Sequence, residues 1–169
     1  DKLISFELEY SDENETVNSI LSQISKVKND CLNIDEYIST ACPDETFRII
    51  YKEYGKMLIS RRLIDYDDMV VLCNELFTQR ADYKAAWQDK YKYILIDEFQ
   101  DINKVQYEIV RMLAGKGDHL FIVGDDDQSI YRFRGARPEI MLGFEKDYPD
   151  AKKVILNTNY RCSAEIVDS

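Results

Sequence analysis

No run of about 18 apolar residues occurs in the chain, so no segment reads as a membrane-spanning helix. Nor does the sequence open on a basic-then-apolar leader. Asp1 is an unusual first residue, and a longer parent chain is expected. Histidine is nearly absent, with His119 alone. The four cysteines, Cys31, Cys42, Cys73 and Cys162, make no C-x-x-C pair, which excludes the usual clustered zinc site. Dispersed thiols among apolar neighbours predict reduced, core-facing cysteines in a cytoplasmic protein. Basic charge is scarce: 22 Lys and Arg stand against 32 Asp and Glu, a net charge of −10. That excludes a protein whose whole surface grips nucleic acid, though not one with a local site. The acid excess is densest early, where the first 60 residues carry twelve acids and six bases. Arg132, Arg134 and Arg137 form the main basic cluster. Internal repeats and low-complexity tracts are lacking as well.

What is present changes character along the chain. Val17, Ile20, Leu21, Ile24 and Val27 fall on one helical face, and Phe47, Ile50, Tyr51, Tyr54, Met57 and Leu58 on another. Pro43 and Asp44 are start signals for the second helix. A third helix is predicted from about Tyr66 to Asp89, opened by Asp65, Asp67 and Asp68, whose charges suit a helix N-terminus. After Trp87 short apolar runs take over: Tyr93–Ile96, Leu120–Val123 and Val154–Leu156. Such runs predict three strands buried on both faces of a parallel sheet. A helix between the first two has Asn103 and Gln106 as a capping box. Val105, Ile109, Met112 and Leu113 form its core face, and Gly115 or Gly117 its end. Pro138 suits a further first turn, with Ile140, Met141 and Phe144 behind it. The second part is therefore α/β. Ligands in such sheets bind at the carboxyl ends of strands, and the polar clusters here all follow strands.

Three clusters carry candidate chemistry. Ile94-Leu95-Ile96-Asp97-Glu98-Phe99-Gln100-Asp101 is an apolar strand delivering adjacent carboxylates. One could hold Mg²⁺, directly or through water, and the next could orient the water that attacks a phosphate. Solvated acids at a strand end are the plainer alternative. Gly124-Asp125-Asp126-Asp127-Gln128-Ser129-Ile130-Tyr131-Arg132-Phe133-Arg134-Gly135-Ala136 alternates aromatics with arginines, a pattern suited to bases and phosphates of single-stranded nucleic acid. Its alternative is a polar turn with core aromatics. Asn157-Thr158-Asn159-Tyr160-Arg161-Cys162 is the least specific of the three.

Taken in order, the three clusters resemble the later motifs of the first RecA-like domain in UvrD/PcrA/Rep-like superfamily-one helicases. Asp97-Glu98-Phe99-Gln100-Asp101 is similar to motif II, Gly124 to Ala136 to motif III, and Leu156-Asn157-Thr158-Asn159-Tyr160-Arg161 to motif IV. Asp65-Tyr66-Asp67-Asp68-Met69 resembles the D-F-D-D-L stretch upstream of motif II. The resemblance covers about 65–169. Residues 1–64 then correspond to an all-helical inserted subdomain, by position more than by motif. The implied fold is a partial RecA-like P-loop NTPase domain, α/β with a parallel sheet, preceded by that subdomain.

The resemblance also implies roles. Asp97 serves Mg²⁺, Glu98 activates water, and Gln128 senses the γ-phosphate and couples it to DNA. Tyr160 stacks on adenine, and Arg161 reaches the γ-phosphate. Phe133 stands where the family usually has tryptophan and would stack on a base. Tyr131 and Arg134 complete the DNA contact. The implied partners are ATP, single-stranded and duplex DNA, and the remaining domains of a parent helicase, with 3′-to-5′ movement. A helicase–nuclease of the AddA/RecB type and a non-enzymatic nucleic-acid-binding module are the alternatives. One element is missing: no G-x-x-x-x-G-K-[ST] occurs, since Gly115-Lys116 is followed by Gly117. Without that phosphate cradle, its lysine and its Mg²⁺-binding hydroxyl, the chain alone is expected to be inactive.

Overall fold

The computed structural model describes residues 13–115, 119–128, 135–163 and 166. Helix α1 (Glu13–Asn29) turns the predicted stripe inward unevenly: Ile20, Ile24 and Val27 are buried, whereas Val17 and Leu21 stay exposed. Helix α2 (Asp44–Ser60) begins after Pro43, with Asp44 and Glu45 in the first turn, where the helix dipole favours negative charge. Phe47 is its fully buried anchor, 5.2 Å from the Tyr37 ring. Together α1, α2 and the loop residues Ala41 and Cys42 enclose one apolar cluster.

The single long helix predicted over 66–89 is two helices, α3 (Tyr66–Gln79) and α4 (Ala81–Lys90), broken at Arg80 (φ −120, ψ 87). Neither proline nor glycine marks the break. Packing accounts for it. Phe77 and Trp87 would lie about 15 Å apart along a straight helix at 1.5 Å per residue. The break brings their ring centroids to 6.4 Å. Arg80 then forks onto Asp82 in the first turn of α4, at 3.0 and 2.8 Å.

Strands β1 (Ile94–Ile96) and β2 (Leu120–Ile122) pair in parallel, with Ile94 beside Leu120 and Ile96 beside Ile122. Helix α5 (Lys104–Ala114) forms part of the connection between them, as parallel neighbours require. Its start has the expected reciprocal cap between Asn103 and Gln106, and Gly115 (φ 59) ends it. The helix is buried on more than the expected face, because Tyr107 and Val110 also reach the sheet core. That core gathers Phe99, Ile102 and Tyr107 with Ile96, Ile122 and Phe144. Helices α6 (Pro138–Leu142) and α7 (Phe144–Asp147) close it, with the Phe144 ring edge-on to Phe99 at 5.7 Å.

Two expectations about the sheet fail. The sheet has one bare face: Leu95 is 71% exposed and its neighbour Phe121 57%. And Val154–Leu156 is not a strand. It runs without regular structure, its three side chains at least 75% exposed. A strand exists only through hydrogen bonds to a neighbour, and among the described residues the sheet consists of β1 and β2 alone. The result is a helix-rich fold with a small parallel sheet, a partial α/β domain. No helix among the described residues is long and apolar enough to cross a membrane. Of the cysteines, all free, only Cys42 is buried; Cys31 and Cys162 are exposed, against the core positions predicted for them.

Candidate functional site

The site is built where β1 and β2 end side by side. The Val123 amide donates to the Ile96 carbonyl (2.8 Å), and the Phe99 amide donates to the Val123 carbonyl (2.9 Å). Both neighbours of the Asp97-Glu98 pair are thus tied to the end of β2. Phe99 is wholly buried, whereas Asp97 and Glu98 are exposed. The chain makes the reversal through Glu98 itself, at φ 52 and ψ 42. A left-handed conformation costs a non-glycine residue about 1–2 kcal/mol and persists where surrounding structure enforces it. Here the enforcement is the 3-10 turn Phe99–Asp101, in which the Asp101 amide donates to the Glu98 carbonyl at 2.9 Å. One Asp97 oxygen accepts the Glu98 amide (3.0 Å). The exposed carboxylate at the strand end offers the hard oxygen ligand that a magnesium ion takes, so the residues present fit that ion.

Behind this pair lies Gln100, 2% exposed. Its amide nitrogen donates to Glu98 Oε2 (2.7 Å), and its Oε1 accepts the Asp125 backbone amide (3.0 Å). Gly124 makes room for it: a Cβ there would lie 2.6 Å from Gln100 Oε1 and 3.1 Å from its backbone nitrogen. The Asp125 carboxylate in turn accepts the Gln128 side-chain amide (2.7 Å) and the Asp127 backbone amide (3.1 Å). One hydrogen-bonded chain, Glu98–Gln100–Asp125–Gln128, therefore links the two strand ends.

Sequence reasoning named Asp97, Glu98 and Gln128, and the structure brings them to adjoining strand ends. It missed Gln100 and Asp125, which do the joining. Neither Tyr160 nor Arg161 is hydrogen-bonded or ion-paired to these strand ends among the described residues. Tyr160 is 94% exposed, and the Arg161 and Cys162 amides close a local turn on Asn159 Oδ1 at 2.8 and 3.0 Å. Among the described residues no hydrogen bond or ion pair joins the Arg161 side chain to Asp97 or Gln128. Tyr131, Phe133 and Arg134 lie outside the described residues.

Comparison with known proteins bears on what these strand ends serve. The sequence profile of the UvrD/REP helicase N-terminal domain matches residues 2–149. The chain belongs to the UvrD/REP helicase family. Similar proteins include PcrA of Leuconostoc citreum, named an ATP-dependent DNA helicase, 41% identical over 153 residues, which cover 89% of this chain and 20% of that protein. The putative ATP-dependent DNA helicase YjcD of Bacillus subtilis is 50% identical over 120 residues, covering 71% of the chain and 16% of YjcD. Rep of Escherichia coli, also named an ATP-dependent DNA helicase, is 36% identical over 158 residues, covering 92% and 24%. The chain thus spans 16–24% of the length of these UvrD/REP relatives.

The acidic stretch that resembles a UvrD/REP signature upstream of motif II has a structural part to play. Asp65 caps α3 and exchanges bonds with Asp68. Lys28 of α1 bridges Asp65 (2.7 Å) and Asp68 while only 9% exposed, and Tyr54 donates to Asp65 (2.9 Å). Further along, Asn103 donates to Asn29 (3.0 Å) and Arg137 to Asp30 (3.0 Å). The end of α1 is therefore bonded to α3, to the start of α5 and to the start of α6. Burial disfavours the Lys28 ammonium, but its bonds to Asp65 and Asp68 outweigh this and raise its pKa above 10.5. Burial likewise raises Asp65, but Lys28, the Asp68 amide and Tyr54 prevail and hold it below 3.8.

Lys28→Met should lower stability by about 1–3 kcal/mol, between the values for surface and buried pairs. The sign in pH follows from linkage. The Lys28 contribution is present below 10.5 and is lost as pH rises through its raised folded value. The Asp65 contribution is present above 3.8 and is lost as pH falls through its lowered folded value. Melting temperatures of wild type and variant should thus differ most between these limits and converge outside them. A constant gap across the whole range would remove the pair from the stability account.

Proposed function

We propose that this chain is part of an ATP-dependent DNA helicase that couples ATP hydrolysis to 3′-to-5′ movement on single-stranded DNA and to duplex unwinding. The observation that carries the reading is the hydrogen-bonded chain from Glu98 to Gln128 across two parallel strand ends. It occurs in a UvrD/REP chain whose relatives are named ATP-dependent DNA helicases. In this reading residues 65–169 are the second half of a RecA-like domain and residues 1–64 a helical subdomain inserted in it. Glu98 orients the attacking water and takes its proton as the terminal phosphate leaves ADP. Gln128 senses that phosphate. Asp97 would hold Mg²⁺, directly or through water, and the ion would supply charge to offset the phosphate oxygens. Tyr160 would stack on adenine and Arg161 would reach the γ-phosphate once the partner elements of the full-length protein surround them. Tyr131, Phe133 and Arg134 would grip single-stranded DNA, and the helical subdomain would lie near the duplex. The protein would work in the cytoplasm.

Unwinding of tailed duplexes by the full-length protein tests this. A duplex with a 3′ single-stranded tail should open in the presence of ATP and Mg²⁺, and one with only a 5′ tail should not. Phe133→Ala should slow opening about tenfold, since a base–aromatic stack contributes roughly 1–3 kcal/mol. Phe133→Trp should keep the π-face and the rate. A stable alanine variant that binds DNA normally and unwinds at the wild-type rate takes Phe133 out of the mechanism.

A further inference from the structure

Gln100 is buried between the two strand ends, only 2% exposed, and two of its side-chain hydrogen bonds point in different directions. Its donor goes to the exposed Glu98 carboxylate (2.7 Å), and its acceptor holds the Asp125 amide (3.0 Å) at the start of the turn that carries Gln128. An amide can make this pair of bonds, whereas a carboxylate has no donor and an amine or guanidinium no acceptor. The surroundings leave Gln100 little freedom. Phe99 beside it is locked between Tyr107 and Phe144, and Gly124 leaves no Cβ to compete for the space. Glu98 is itself held in a left-handed conformation, so its carboxylate starts from an enforced backbone position. A long carboxylate in solvent would otherwise sample several rotamers.

We propose that Gln100 is a positioning residue for ATP hydrolysis. It aims Glu98 at the attacking water and fixes that carboxylate to the Asp125–Gln128 turn, so that base and phosphate sensor move as one unit. The inference rests on the hydrolytic reading of Glu98 given above. Misplacing a reacting group by about an ångström costs up to about a hundredfold in rate, which is the lever Gln100 holds.

Two substitutions in the full-length protein separate the bond to Glu98 from the bond to the Asp125 amide. Gln100→Glu keeps an acceptor for the Asp125 amide and loses the donor to Glu98. It should lower kcat for ATP by between about tenfold and a hundredfold with KM little changed. It should leave the factor by which single-stranded DNA stimulates turnover as in wild type. Gln100→Met fills the same space and loses both bonds, so kcat and the DNA stimulation factor should both fall. Melting temperature and nucleotide affinity, read by fluorescence titration, accompany each variant. A folded Gln100→Met protein with wild-type kcat and wild-type stimulation overturns the proposal. If one variant does not fold, kcat of the other decides. Failure of both to fold makes Gln100 a fold-bearing residue only and also overturns it. Glu98→Gln serves as the separate control: full turnover in that variant would sink the hydrolytic reading itself, whereas loss of turnover there with normal Gln100 variants would sink this inference alone.

Discussion

Glu98→Gln in the full-length protein should reduce the DNA-stimulated kcat by about 10²–10⁴-fold, the usual contribution of a positioned acid or base. The substitution is nearly isosteric. Its new carbonyl oxygen can still accept from Gln100, whose nitrogen lies 2.7 Å from Glu98 Oε2 in the wild type. The left-handed backbone at residue 98 is set by the buried Phe99 and the following turn, and these are untouched. What is lost is the charge that can take a proton from water. Binding of ATP should therefore persist while turnover collapses, which is the pattern of an interaction made in the transition state. Single-turnover kinetics and nucleotide titration check this. Loss of binding in parallel with turnover would instead mark Glu98 as a residue that holds the nucleotide or the fold.

The second large effect concerns the 169-residue chain by itself, which should hydrolyse ATP no faster than background. Phosphoryl transfer depends almost wholly on positioning and charge stabilisation. No G-x-x-x-x-G-K-[ST] occurs here to cradle the phosphates. Tyr160 is 94% exposed, and the Arg161 and Cys162 amides bond locally to Asn159, so among the described residues no hydrogen bond or ion pair ties these residues to Asp97 or Gln128. A purified chain with measurable turnover that Glu98→Gln abolishes would mean that the strand ends suffice alone, against the mechanism proposed.

Much of the local structure was legible because local chemistry dictates it. Asp65 with Asp68 and Asn103 with Gln106 form reciprocal caps at helix starts, and their spacing is visible in the sequence. The continuous apolar runs before Asp97 and Gly124 mark the two parallel strands, and the polar groups that follow fall at their ends. Other features were hidden because distant contacts decide them. Arg80 breaks a continuous helical pattern so that Phe77 can meet Trp87. Val154–Leu156 has the composition of a buried strand, but among the described residues no neighbouring strand pairs with it, and composition cannot supply one. Leu95 and Phe121 likewise read as buried, yet both are more than half exposed. Gln100 escaped notice because nothing in a glutamine's identity announces that it will be buried between two backbones. The bonds of Asn29 and Asp30 to Asn103 and Arg137 span more than seventy residues of chain, and no periodicity encodes them.

The central claim is that the ends of β1 and β2 couple ATP hydrolysis to single-stranded DNA. ATP hydrolysis by the full-length protein, measured as single-stranded DNA is titrated in, tests it most directly. The account predicts slow turnover without DNA and a saturable rise as DNA is added, with Glu98→Gln flat at every DNA concentration. Turnover that is absent at all DNA concentrations, or that is unchanged by DNA and survives Glu98→Gln, would contradict it.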